Sequence, residues 1–396
     1  MKIKSSIFIL LALIASSIFA TDYSEKINKT LPQIQVLEKE TFTVNGQDID
    51  DETLAFISAD DKNIYYTGRV DFKNPSEPIL IWEGTQIQFN FSGTRLGLRF
   101  KNSNSQTSYY NVIVDGKIYL LHMETGGEYD YFLDKKLDSG DHTCTVFKRN
   151  EAGMLDTFVG IDVDSKGYKK ATGVITMPEL LPIKIEFYGD SITAGVCDET
   201  VGDDSYEQDK MVTHNCYTSY PAIACRMLNA ELADYAVGGT GVCYSWNPFI
   251  ITDSWKKTYS GNLSRDFDFT TARTPDIVVI NLGQNDFGLQ DQKGGFPKNF
   301  QQKYTAFLKE IRAQYPDAWI ICATGGMSAI KSSRELASGI LNSVKELSAT
   351  DTKILQFTYR AFTYSHPRVD THLLMAQQLV KFIQANVLTE DSTTIR

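Results

Sequence analysis

The chain has 396 residues, 42% of them hydrophobic and 22% charged, with 27 Gly and 11 Pro. This excludes a disordered or fibrous polymer, and the length predicts two domains, because single cores stop growing at roughly 250–300 residues. Thirty-nine Lys and Arg against 49 Asp and Glu leave a formal charge of −10, which argues against nucleic acid as a partner, since neutralising phosphates requires a basic face.

The first element is a leader. Residues 1–20 combine Lys2 and Lys4, an apolar run from Ile7 to Ile14 and a small-residue end at Ser16, Ser17 and Ala20, the layout of a secretory signal peptide. The expectation is a secreted, extracellular protein. The run is too short to span a bilayer and no later stretch reaches eighteen apolar residues, so no membrane partner is expected after cleavage. Six cysteines follow, Cys144, Cys197, Cys216, Cys225, Cys243 and Cys322, an even count suited to disulfides in an oxidising compartment. Spacing alone does not choose among their pairings, although Cys197 with Cys216 and Cys225 with Cys243 are near enough to staple neighbouring loops. No Cys-x-x-Cys pair occurs, so no zinc site is expected. Asn28, Asn90 and Asn262 head glycosylation tripeptides.

Residues 29–169 read as short strands separated by turn residues, with almost no helical periodicity. Ile79–Trp82, Thr85–Phe91, Leu96–Phe100 and Asn111–Val114 alternate or run apolar. Turn punctuation falls between them at Gly84, Ser92-Gly93-Thr94 and Asp115-Gly116. Gln86, Gln88 and Asn90 lie opposite Ile87, Phe89 and Phe91, the period of two that separates a wet face from a buried one. An antiparallel β-sandwich is predicted.

Residues 170–180 form a connector, after which, from 181 to 390, strand and helix patterns alternate. Buried strands are predicted at Ile183–Tyr188, Leu232–Val237, Ile277–Leu282, Trp319–Ala323 and Ile354–Phe357. Between them, Tyr304, Leu308, Ile311 and Tyr315 fall on one helical face, as do Leu373, Ala376, Val380, Ile383 and Val387. Five strands joined by helices imply right-handed crossovers and a mostly parallel sheet covered on both faces, with ligands at the carboxyl ends of its strands.

Four signals stand at those ends. Gly189-Asp190-Ser191-Ile192-Thr193 follows the first strand and puts a serine hydroxyl on a tight turn at a helix N-terminus, where backbone N–H groups favour negative charge. Tyr235-Ala-Val-Gly-Gly239-Thr-Gly241 follows the second and supplies backbone able to turn an N–H toward a neighbouring pocket. Gly283-Gln-Asn285-Asp286 follows the third with an amide donor, and Ser365-His366-Pro367 follows the fifth with an imidazole. Singly, each reads more simply as turn or cap chemistry. Together, in the order Ser, Gly, Asn, His, they describe a nucleophile, two oxyanion donors and a base.

This half resembles the SGNH (GDSL-type) hydrolases, whose four motif blocks carry those four residues. Tyr65-Tyr-Thr-Gly-Arg-Val70, Trp82-Glu-Gly-Thr85, Phe91-Ser-Gly-Thr94, Val114-Asp-Gly116, His142, Phe147-Lys-Arg-Asn-Glu151 and Phe158-Val-Gly160 are similar to the jelly-roll domain that precedes the catalytic domain in family-two carbohydrate esterases. The resemblance implies a three-layer, flavodoxin-like α/β hydrolase domain behind an all-β jelly roll. It implies a serine esterase that removes O-acetyl groups from plant polysaccharide such as xylan or glucomannan, without cofactor or metal. Acetylated polysaccharide or oligosaccharide would be its partner. Ser191 would attack, His366 would act as base, and the Ser191 and Gly239 N–H groups with the Asn285 amide would form the oxyanion hole. The alternatives are an SGNH esterase for a lipid or bacterial-wall ester, or a secreted carbohydrate-binding protein whose catalytic half has decayed.

One position departs from the SGNH pattern: three residues before the histidine, where an orienting aspartate usually stands, the chain has Thr363. Either a backbone carbonyl holds His366 in a Ser–His dyad, or a distant carboxylate serves. Asp370 is near in sequence, but its simpler role is to cap the last helix, and His372 is a rival base. Trp246, and beside it Tyr244 and Trp255, offer aromatic faces for sugar rings or for loop core. His214 and Asn215 either line the cleft or belong to a loop pinned by a disulfide, and Asp286 reads as a turn stabiliser.

Overall fold

The computed structural model describes residues 42–44, 54–104, 107–165, 175–202, 204, 208–261 and 265–388. The expected leader, residues 1–20, and the tripeptides at Asn28 and Asn262 lie outside these residues. The first region is strand-rich and antiparallel. Among the described residues, sheets of seven and six strands share one apolar core to which Leu98, Phe100 and Phe158 come from one sheet and Ile87, Phe89 and Val146 from the other. The period of two is visible in the strand Gln86–Gly93, where Ile87, Phe89 and Phe91 are buried and Gln86, Gln88 and Asn90 are not. Its partner is Gly140–Lys148, antiparallel. Part of the expected connector joins this region, since Ile175 and Thr176 pair with Phe91 and Asn90.

The second region is a five-stranded parallel sheet. Its strands are β1 (Ile183–Gly189), β2 (Ala230–Asp234), β3 (Ile277–Asn281), β4 (Trp319–Gly326) and β5 (Ile354–Phe362), in the order β2-β1-β3-β4-β5. Six of the helices matter here: α1 (Ser191–Ala194), α2 (Tyr220–Leu228), α3 (Gln284–Gly288), α4 (Phe300–Gln314), α5 (Arg334–Ser348) and α6 (Val369–Asn386). In β3 the alternation sends Val278 and Ile280 to the face covered by α4 and α5, and Ile277 and Val279 to the face covered by α2 and α6. Both faces being apolar is why these strands read as continuous hydrophobic runs. The order of strand addition reverses between β1 and β3, which run parallel, so the crevice for a ligand lies outside their carboxyl ends.

Boundaries moved where tertiary bonds outvoted local pattern. β2 begins two residues earlier than expected, and β5 runs on to Phe362, pairing with Gly326 beyond a register shift. The predicted strand Ile79–Trp82 keeps only Ile79 and Leu80, because Ile81 and Trp82 turn away into the core of the α/β region beside Tyr188, Tyr235 and Trp255. Trp82 Nε1 donates to the Thr258 carbonyl at 2.8 Å, and the buried Arg69 donates to the Tyr188 hydroxyl and the Lys257 carbonyl, both at 3.0 Å. The sandwich therefore packs on the α/β region through buried side chains.

The disulfide expectation is not met: none of the six cysteines is paired in a disulfide, and five of them are buried. They sit in separate environments. Cys144 belongs to the sandwich core, Cys197 packs with Ala194, Val196 and Ala236, Cys225 is part of α2 and shares a core with Cys216, and Cys322 lies under α4. Neither staple, Cys197 with Cys216 nor Cys225 with Cys243, is formed.

Candidate active site

The turn from β1 into α1 is built around Ser191. Gly189 is required at its start, since a Cβ there would stand 2.0 Å from Thr193 Oγ1. Asp190 caps the helix, its Oδ1 accepting the Ile192 N–H at 3.0 Å. The serine hydroxyl donates to His366 Nε2 across 2.9 Å, joining residues from the ends of β1 and β5 as the motif order predicted.

The third partner is Asp204. Its Oδ2 lies 2.7 Å from His366 Nδ1 and also accepts the His366 N–H at 3.0 Å, while Oδ1 accepts from Arg368 Nη1 at 2.9 Å. Burial disfavours its charge, but the donors of His366 and Arg368 overcome that and hold the carboxyl below the usual range. An ionised Asp204 accepts only, so Nδ1 carries the ring proton and Nε2 is left to receive one from the serine. Burial lowers the His366 pKa, partly offset by Asp204. The geometry is a Ser–His–Asp relay rather than a dyad.

Asp204 comes from the insertion after the nucleophile, in Val201-Gly-Asp-Asp204, and no spacing rule links it to His366. Only the concentration of acids in that insertion (Asp198, Glu199, Asp203, Asp204) signals it. Thr363 instead closes its own turn, its hydroxyl donating to the Ser365 carbonyl at 2.6 Å. Asp370 is exposed in the first turn of α6, where the cap position belongs to Arg368. His372 is no rival base: it is fully buried, accepts the Tyr220 N–H through Nδ1 at 3.2 Å, and is pushed down to about 3 chiefly by burial.

The donors converge on the same rim. Asn285, in α3, donates through Nδ2 to the Thr240 carbonyl at 2.8 Å and Asp190 Oδ2 at 3.2 Å, which ties it to both the glycine loop and the nucleophile turn. Gly239 has φ +79°, a left-handed conformation that favours glycine. No acceptor for the N–H of Gly239 or of Ser191 occurs among the described residues. Asp286 stabilises the neighbouring loop rather than its own turn, accepting the N–H groups of Val242, Cys243 and Tyr244.

Trp246 is 60% exposed and its Cβ lies against Gly239, whereas Trp255 is core, with Nε1 bonded to Glu310. Tyr244 is half-buried in the same loop. Tyr364, two residues before His366, is 79% exposed. His214 and Asn215 are buried structural residues, held by hydrogen bonds to Asn150 and to Asp198 and Glu199 in place of a disulfide. Ligand atoms of Cys197, Asp204 and His366 lie within 4.8 Å of one another. Both His366 nitrogens are engaged with Ser191 and Asp204, so the set suits a proton relay rather than a cation.

Residues 66–170 match the family model described as carbohydrate esterase 2 N-terminal, and residues 187–371 that of the GDSL-like lipase/acylhydrolase family. A solved family two carbohydrate esterase from Clostridium thermocellum, in complex with cellohexaose, is 30% identical over 81% of this chain and 98% of its own, with a TM-score of 0.71. The chain belongs to the family-two carbohydrate esterases. A second solved member, from Cellvibrio japonicus, shares the fold at 20% identity, with a TM-score of 0.71 over 84% of this esterase and 98% of that chain. Among curated relatives, the cellulase/esterase CelE of Acetivibrio thermocellus is 30% identical over 82% of this chain, which spans 40% of that relative's length. An acetylxylan esterase / glucomannan deacetylase of Cellvibrio japonicus is 24% identical over 82% of this chain and 88% of its own.

Proposed function

We propose that this family-two esterase is secreted and removes O-acetyl groups from plant cell-wall polysaccharide, xylan and glucomannan, through an acyl-enzyme on Ser191. The observation that carries the reading is the continuous bond path from the Ser191 hydroxyl through the His366 ring to Asp204, at 2.9 and 2.7 Å. Ser191 Oγ attacks the acetyl carbonyl carbon as its proton passes to His366 Nε2, and Asp204 stabilises the imidazolium that results. Charge then develops on the carbonyl oxygen. The Ser191 and Gly239 N–H groups would receive it, joined by the Asn285 amide as it gives up one of its bonds to Thr240 and Asp190, each donor contributing about 10²–10³ in turnover.

Collapse breaks the ester bond. His366 returns its proton to the departing sugar oxygen, and the acetyl group remains on Ser191. Water, deprotonated by His366, then releases acetate and restores the serine. Trp246, against Gly239, and Tyr364, two residues before His366, are exposed aromatic faces on which sugar rings can stack. The similarity to an acetylxylan esterase / glucomannan deacetylase of Cellvibrio japonicus supports the substrate class.

Acetate release from acetylated xylan and acetylated glucomannan, compared with release from a lipid ester, tests this. Ser191→Ala is expected to abolish turnover on both polysaccharides while retaining the wild-type circular dichroism spectrum. Unchanged release by that variant would remove Ser191 as nucleophile.

A further inference from the structure

Three carboxyl side chains lie near one another behind the glycine loop, with no cation among them in the described residues. Glu83 and Glu151 come from the sandwich, and Asp234 ends β2. Glu83 is fully buried and accepts the Ala152 N–H through Oε2 and the Ala236 N–H through Oε1, both at 2.8 Å. Glu151 Oε2 accepts the Gly238 N–H at 3.1 Å. Asp234 accepts from the Cys216 thiol at 3.6 Å, and burial together with the nearby Glu83 disfavours its charge. The nearby cations are committed elsewhere, Lys148 to Asp156 and Arg149 to Glu199. Burial raises the pKa of all three acids.

Burying uncompensated carboxyls is costly, so their placement calls for a reason, and Gly238 supplies one. Gly238 does not have a left-handed φ. A Cβ there would stand 2.4 Å from Glu151 Oε2, so any side chain would push the carboxyl off the Gly238 N–H. Its carbonyl accepts from Asn247 Nδ2 at 2.9 Å, so both polar groups of this one residue are clamped. The peptide that bears the Gly238 carbonyl also bears the Gly239 N–H, and it is planar. Fixing one end therefore sets the direction of the other.

We propose that Glu151, backed by Glu83, is a positioning residue of the hydrolytic site, through which the β-sandwich sets the direction of the Gly239 N–H. The inference rests on the reading of Gly239 as an oxyanion donor. It makes the sandwich a working part of the reaction: without its carboxylate the Val237–Gly238 peptide loses its anchor and the direction of the Gly238–Gly239 peptide is left to Asn247, and a donor must be aimed in advance to favour the transition state.

Steady-state kinetics on a soluble aryl acetate test it. Glu151→Ala is expected to lower kcat about 10-fold or more, up to the roughly 10²–10³-fold of a lost donor, with KM changed less than about twofold. Glu151→Gln keeps an oxygen for the Gly238 N–H and is expected to restore most of that turnover. Should Glu151→Ala not fold, Glu151→Asp, which withdraws the carboxylate by one methylene, gives the same readout. Wild-type kcat in a folded Glu151→Ala or Glu151→Asp variant, or a Glu151→Gln variant as impaired as Glu151→Ala, would overturn the proposal. Ser191→Ala and Asn285→Ala assayed alongside separate the two readings. If they are inactive while Glu151→Ala is not, only the positioning role fails; if they retain turnover, the site itself has been misassigned.

Discussion

Asp204 shows how much a single carboxylate decides at the residue scale. An imidazole held only by carbonyl oxygens can adopt the required tautomer, but a carboxylate also stabilises the cation that forms when the serine gives up its proton. Arg368 bonds both Asp204 and the His366 carbonyl, so the aspartate is fixed from behind. Asp204→Asn is expected to lower kcat by up to about 10⁴-fold, the loss typical of a buried triad aspartate. Asp370→Asn, at an exposed position in the first turn of α6, should stay within about twofold. Comparable losses in both variants, measured on an aryl acetate, would return the relay to a dyad.

At the level of elements, the loop from Gly238 to Trp246 joins catalysis to recognition. Gly239 accepts the Trp246 N–H at 2.9 Å, so the exposed indole is bolted to the residue read as an oxyanion donor. Stacking of this kind adds roughly 0.5–1.5 kcal/mol beyond area burial. Trp246→Ala should therefore raise KM for acetylated polysaccharide by roughly 2- to 12-fold and leave the rate on a small aryl acetate nearly unchanged. An equal effect on both substrates would mean that the substitution has disturbed Gly239 instead of a sugar contact.

For the whole molecule, the junction between sandwich and parallel sheet is apolar at Ile81 and Trp82 and acidic at Glu83, Glu151 and Asp234. Burial raises Glu151 from 4.5 to about 7. The folded state then holds a proton that the unfolded chain has already released, so this residue's contribution to stability is full below about pH 4.5 and declines as pH rises to about 7. Glu151→Gln has no such proton to lose. Its Tm relative to wild type is expected to rise between pH 5 and pH 8, and a difference that does not vary with pH would show that Glu151 does not titrate in this window.

What the chain determined by itself was everything carried by local period and by motif order. Alternation in 85–91 and the apolar runs at 183–188 and 277–282 are written by neighbours a few residues apart, and Ser191, Gly239, Asn285 and His366 each follow their own strand. A parallel sheet collects strand ends at one rim, so those four could be placed together before any coordinate was known. Tertiary structure alone decided what depends on contacts without a fixed spacing. Asp204 reaches His366 from 162 positions away, Glu151 reaches the glycine loop from the β-sandwich, and Ile81 and Trp82 leave a strand pattern for a core they cannot anticipate. The thiols, too, are separated by the layers that bury them, whatever their count suggests. A carboxylate's partner is set by where the backbone brings it and by how little water remains there, and neither quantity is written in the order of the residues.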